Sequence, residues 1–376
     1  MRLRLQQLLL GLVAAPLAVI AATCGSNLTQ HDDTEGPAAA STSATGAELY
    51  ARYCALCHGK AGEGFAADNA NALANPQFLS SVGDSFLRVA IVRGRVGTPM
   101  SAWGKQFGGP LTGPEVEKLV QWIRSWQTRP KVELSSKPVA GDRGRGEAIY
   151  GAHCASCHGP KGEGKLAPSL NNPIFHSTAS DQFIRYAIAE GRKGTPMPAF
   201  SKPLGPQGVD DVTAYLRSLR KGGERQVPPA LPNVPLVINP KGPPPKFELR
   251  EDFYVPAAQV KAALDKGARL IIADARAQSD YLEARIPGAI SLPFYAVEEY
   301  AAKLPKDGTW IIAYCACPHA ASGQVARALR DRGFPKTAVL DEGIHVWIQR
   351  GYPVTKPEPI TQPVPITQPA PVTKPD

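Results

Sequence analysis

Two pentapeptides, "CALCH" at 54–58 and "CASCH" at 154–158, stand 100 residues apart in a chain of 376. Each is a C-x-x-C-H pattern, the spacing that attaches a c-type haem covalently. On a helix, residues at i, i+3 and i+4 share one face. Cys54, Cys57 and His58 would then address one porphyrin, and Cys154, Cys157 and His158 another. The thiols bond the vinyl groups and the imidazole binds the iron. A redox dithiol needs no histidine directly after its second cysteine, and a zinc site would need the two pairs to converge. Neither alternative explains a motif that occurs twice with the same histidine.

A second repetition follows each motif. "GRVGTPM" at 94–100 and "GRKGTPM" at 191–197 hold the only methionines besides Met1. Methionine is commonly a gap-filler in cores. Here Gly97 and Gly194 free the backbone, while Pro99 and Pro196 stiffen it. A thioether at such a loop is also a ligand for a soft metal. The stretch 46–64 parallels 146–164, again 100 residues apart, whereas Met100 and Met197 differ by 97, so the second module has lost 100 − 97 = 3 residues net. Each heptad leads through a Gly/Pro loop to a helical pattern, with Leu119, Trp122 and Ile123 on one stripe and Val212, Tyr215, Leu216 and Leu219 on the other.

This order of features, over about 46–129 and 142–221, resembles a small class I cytochrome c domain present twice. The resemblance implies two all-α domains and two covalently bound c-type haems. It also implies the axial pairs His58 with Met100 and His158 with Met197, a ligation that raises the reduction potential. His153 and His176 are rival ligands, but the first module has no equivalent of either, and both read as surface histidines. Two GTPM loops also argue against an open-iron peroxidase or a thiosulfate dehydrogenase with an unusual ligand.

Residues 1–23 combine early arginines, a short apolar run interrupted by Pro16, and small residues at the end, which reads as a secretory signal. Cys24 follows at once. An unpaired thiol is a liability outside the cytoplasm, so lipidation at Cys24 and anchoring to a membrane are expected, against simple cleavage after Ala21 or Ala22. Residues 24–45 read as a tether, 46–130 as the first haem domain, 131–141 as a linker and 142–221 as the second haem domain. The Pro-rich segment 222–246 reads as an extended spacer and 355–376 as a Pro-rich tail. The net charge of +9 is scattered rather than clustered, which argues against a nucleic-acid partner. It leaves redox proteins, as yet unspecified donor and acceptor, as the partners.

Residues 247–354 change style. "ARLIIADAR" and "TWIIAYCAC" are apolar runs of strand length, and "ASGQVARALRDRGF" follows with a helical pattern, an α/β alternation that predicts a parallel sheet. "IIADARAQSDYLEARIPGAISLP", "YCACPHAAS" and "LDEGIHVW" resemble, in order, the Asp-x-Arg strand end, active-site loop and Gly-containing turn of a rhodanese domain. The resemblance implies that Cys315 accepts sulfane sulfur as a persulfide within a cradle of backbone N–H groups. The loop departs from the family in being one residue longer, in lacking the usual arginine, and in carrying Cys317, which is an alternate or resolving thiol. A phosphatase would need that arginine. Arg276, Arg285 and His319 are the nearby sources of positive charge. The expectation is an exported two-haem electron carrier coupled to sulfane, thiosulfate or polysulfide chemistry; the alternative is a plain carrier whose rhodanese-like domain only docks partners.

Overall fold

The computed structural model of the protein describes residues 44–220, 231–316 and 319–356. The signal, all of the tether up to residue 43 with Cys24, Cys317 and most of the tail therefore lie outside the described residues.

The helical half is built twice on one plan. In the first domain the helices are α1 (Gly46–Tyr53), α2 (Ala55–His58), α3 (Pro76–Ser81), α4 (Asp84–Arg93) and α5 (Gly113–Arg124). The second has α6 (Arg143–His153), α7 (Ala155–His158), α8 (Pro173–Thr178), α9 (Asp181–Glu190) and α10 (Ser201–Ser218). Local chemistry sets their starts. Thr45 and Glu48 form a capping box at α1, as Thr112 and Glu115 do at α5. Asn75 and Asn172 cap α3 and α8, each followed by proline in the first turn. The expected stripes are buried: Leu119 and Ile123 in α5, Val212, Tyr215 and Leu216 in α10.

First and last helices of each domain cross at a glycine. A Cβ on Gly46 would meet the Lys118 carbonyl oxygen at 2.4 Å, and one on Gly146 would meet that of Asp211 at 2.0 Å. Only hydrogen fits there, which explains why each repeat begins with glycine.

The two domains meet around a pseudo-twofold axis. Phe78 packs edge-on against Phe183 and Phe86 against Phe175, both with centroids 6.4 Å apart. Asn75 donates to the Lys193 carbonyl at 3.0 Å, and Asn172 to that of Val96 at 2.9 Å. Each contact is the other with the domains exchanged, the signature of an isologous interface.

The C-terminal half carries β1 (Tyr254–Val255), α11 (Ala257–Asp265), β2 (Leu270–Asp274), α12 (Gln278–Glu283), β3 (Ile290–Ser291), α13 (Val297–Ala301), β4 (Trp310–Tyr314), α14 (Ala320–Asp331), β5 (Thr337–Leu340) and α15 (Gly343–Gln349). The sheet is five-stranded and parallel throughout, in the order β1-β5-β4-β2-β3. Its central strands β2 and β4 are Ile-rich and buried, as a sheet covered on both faces requires. The expected spacer is only partly one. Ile238 exchanges backbone hydrogen bonds with Leu270 at 2.8 and 3.3 Å, and Val234 and Val237 pack on the core. Its scattered aliphatic residues tie the described part of this segment to the neighbouring fold.

Candidate functional site

The motif cysteines sit at sharp helix junctions. Cys54 ends α1 and begins α2, and Cys154 does the same between α6 and α7. One side chain from the preceding helix holds each junction: the hydroxyl of Tyr50 donates to the Gly59 carbonyl at 2.8 Å, that of Tyr150 to Gly159 at 2.7 Å. Burial pushes the thiols of Cys54 and Cys154 up to about 12 and 11. These two thiols are therefore held protonated. Among the described residues no disulfide forms and no three His, Cys, Asp or Glu side chains converge as a metal group, so the zinc alternative has no counterpart there.

The histidines are oriented from behind. Nδ1 of His58 bonds the Asn71 carbonyl at 2.8 Å, and that of His158 bonds the Pro168 carbonyl at 2.8 Å. A carbonyl accepts only, so Nδ1 carries the proton and Nε2 keeps its lone pair, the tautomer a metal ligand needs. Burial lowers both imidazoles, which keeps them neutral.

The two heptads fold alike. Arg95 N donates to the Met100 carbonyl at 2.8 Å and Arg192 N to that of Met197 at 2.9 Å, closing each loop. The threonines bridge it: Thr98 Oγ1 donates to Arg95 O at 2.7 Å and accepts from Met100 N at 3.2 Å, and Thr195 repeats this at 2.8 and 3.2 Å. Gly94 and Gly191 turn with φ of +62° and +63°, where a Cβ would strike the loop backbone at 2.5 Å. Met100 lies partly buried against the same core as Cys54 and Leu56.

The arginines of the heptads were not expected in the site. Both are half-buried, and burial lowers each guanidinium to about 10. Among the described residues Arg95 Nη1 has no hydrogen-bond partner, Arg192 donates to its neighbour Gly191, and both stack on the phenylalanines of the domain interface. A buried cation without a carboxylate is costly. A c-type haem brings two propionates, so these residues fit the group that the cysteines and histidines would hold. The signal was the Gly-Arg opening both heptads. His176 corrects another expectation: it is buried, not on the surface, with Nε2 bonded to the Leu170 carbonyl at 2.8 Å and burial holding its pKa at about 4. His153 is exposed, edge-on to Phe200.

In the C-terminal half, Cys315 follows β4 directly and is buried, its Sγ 3.1 Å from Ser322 Oγ in the first turn of α14. The Gly343 turn closes the loop, with Ile344 N donating to the Cys315 carbonyl at 3.0 Å. Arg276 is spent on Asp274, at 2.9 and 2.6 Å, and Arg285 stacks on Tyr281, so both hold the fold. His319 caps α14 with φ of +76°, its Nε2 bonded to the Asp341 carbonyl at 2.5 Å.

Comparison with known proteins assigns both halves. Residues 41–123 and 141–216 match the family described as cytochrome c oxidase, cbb3-type, subunit III, and 256–350 match the rhodanese-like domain. The cbb3-type cytochrome c oxidase subunit CcoP of Azospirillum sp. (strain B510) is 27% identical over 198 residues, 48% of this chain and 62% of that protein. The chain thus spans about three-fifths of that relative's length. A cytochrome c-553-like protein of Synechocystis sp. is 37% identical over 81 residues, 22% of this chain and 72% of that protein. A solved thiosulfate sulfurtransferase from Pseudomonas aeruginosa is 30% identical, with a TM-score of 0.26, covering 28% of this chain and 20% of its own.

Proposed function

The chain belongs to the c-type cytochromes, with domains like those of cbb3-type subunit III followed by a rhodanese-like domain, and on that premise we propose an exported two-haem electron carrier coupled to sulfur chemistry. The observation that carries the reading is the duplicated donor set: a cysteine pair at a helix junction, an Nδ1-anchored histidine, a closed methionine loop and a half-buried arginine in each domain. Cys54, Cys57, Cys154 and Cys157 would hold the porphyrins, His58 and Met100 one iron, His158 and Met197 the other. When bound, the group supplies one-electron exchange at a raised potential. The protein's own part is to fix both ligands, exclude water and neutralise the propionates. Redox donor and acceptor proteins are the expected partners, in the periplasm or at a membrane surface if Cys24 is lipidated.

For the sulfur loop, Cys315 is the acceptor of sulfane sulfur, with Cys317 as alternate or resolving thiol. The strand end behind it and the first turn of α14 in front supply the N–H groups that favour an anion. Single variants test the ligand reading. Met100→Ala and Met197→Ala should each remove about half of the weak near-red absorbance of an iron–thioether bond. If neither alters it, the methionines are not ligands.

A further inference from the structure

The rhodanese-like domain does not hang free of the haem domains. Its active-site face is seated on the first of them. Arg52, two residues before Cys54, donates through Nε and Nη2 to the Tyr295 carbonyl at 3.2 and 3.0 Å. The Tyr295 ring packs on both Tyr53 and Trp103, with centroids 5.0 and 5.8 Å away. Ser101, the residue after Met100, donates from a buried position to Asp280 at 2.6 Å. These contacts bracket the first haem site from its cysteine end to its methionine end.

Between them α14 packs on α2, the helix of the CALCH motif. A crevice opens there, lined by Leu56, Ala66 and Ala67 on one side and Ala320, Gln324 and Arg327 on the other. Sγ of Cys315 lies 3.1 Å from Ser322 Oγ in the first turn of α14, so the helix that begins beside this sulfur is the one that rests on the CALCH helix.

We propose that Cys315, with the first turn of α14, and the CALCH edge of the first haem domain form one composite site that oxidises hydrosulfide to a cysteine persulfide. This rests on the reading of Cys315 as the sulfur acceptor. The substrate class follows from the loop. Cys315 is 5% exposed, no arginine stands between it and Ser322, and the crevice beside α14 is lined by four alanines together with Arg327, Asp331 and Arg332. Such a place admits a small monoanion, steered by Arg327, in preference to doubly charged thiosulfate. In the step, the Cys315 thiolate and hydrosulfide form one sulfur–sulfur bond: Cys–S⁻ + HS⁻ → Cys–S–S⁻ + H⁺ + 2e⁻. The proton passes to water. The oxidant, by chemical class, would be ferric c-type haem: the groups that His58 with Met100 and His158 with Met197 would hold could each take one electron, and the first domain lies on the sulfur side. Two domains thereby match the two electrons of one bond.

The test uses the full haem-loaded chain, oxidised and free of oxygen, with sodium hydrosulfide as probe. Expected are a mass gain of one sulfur atom on the Cys315 peptide and two reduced haems for each sulfur gained. Cys315→Ser should slow haem reduction by about tenfold or more. Tyr295→Ala, which removes the ring packed on Tyr53 and Trp103, should still gain sulfur from polysulfide yet lose reduction by hydrosulfide to a similar degree. Equal haem reduction in wild type and Cys315→Ser overturns the composite site. Sulfur gain from polysulfide without any from hydrosulfide also overturns it while leaving the rhodanese reading intact. No gain from either probe removes both.

Discussion

Arg95 and Arg192 show what spacing cannot. The cysteines and histidines are legible because covalent attachment dictates which residue stands where. Burial of a charge is decided by the tertiary fold, and the sequence marks these arginines only by repeating them. Replacing Arg95 with leucine removes a cation beside the group and favours the oxidised state. In the loaded chain one potential should fall by roughly 60 mV, one tenfold change for a one-electron couple. Optical redox titration reads this, and an unmoved potential would detach the arginine from the site. His176 misleads in the same way, since a lone histidine in a polar stretch reads as surface. Its folded pKa of about 4 lies below the ordinary 6.5, burial being the main cause. A base depressed on folding stabilises nothing as it protonates; the unfolded chain takes the proton first. Stability should therefore fall as pH drops from 6.5 towards 4, and His176→Gln should flatten that limb in melts followed across the range.

Helices and strands were readable because hydrophobic periodicity and capping residues agree with the packing they serve, as Thr112, Glu115 and Leu119 do in α5. The Pro-rich segment was less so, because proline content speaks for extension while Val234, Val237 and Ile238 speak for burial. At the α6–α10 crossing, Gly146→Ala places a methyl on the Asp211 carbonyl and should cost about 1–3 kcal/mol in chemical denaturation. A cost near zero would mean that the crossing is loose. Asp211 works at the same crossing. It accepts from Arg145 Nε at 2.7 Å and from Asp142 N at 2.7 Å, and the Arg145 bond leads in lowering its carboxyl to about 2. A depressed carboxyl contributes stability above its unfolded pKa near 3.8, lost as pH falls through 2. Asp211→Asn should remove that acid limb.

Over the whole molecule, the contacts that seat one half on the other join residues 179 and 243 positions apart. No local pattern carries such pairings, so the sequence announces a sulfur-type domain and two haem-type domains without saying which face meets which. The pseudo-twofold contact was equally hidden, although the duplication that makes it possible was plain from the cysteines. The account depends above all on each helical domain holding one covalent haem. Intact mass of the full chain, produced where c-type haem is attached, tests this directly. The mass should exceed that of the processed polypeptide by two haems, with Cys54→Ala/Cys57→Ala and Cys154→Ala/Cys157→Ala each losing one. A mass carrying one haem or none in the unaltered chain would contradict the account.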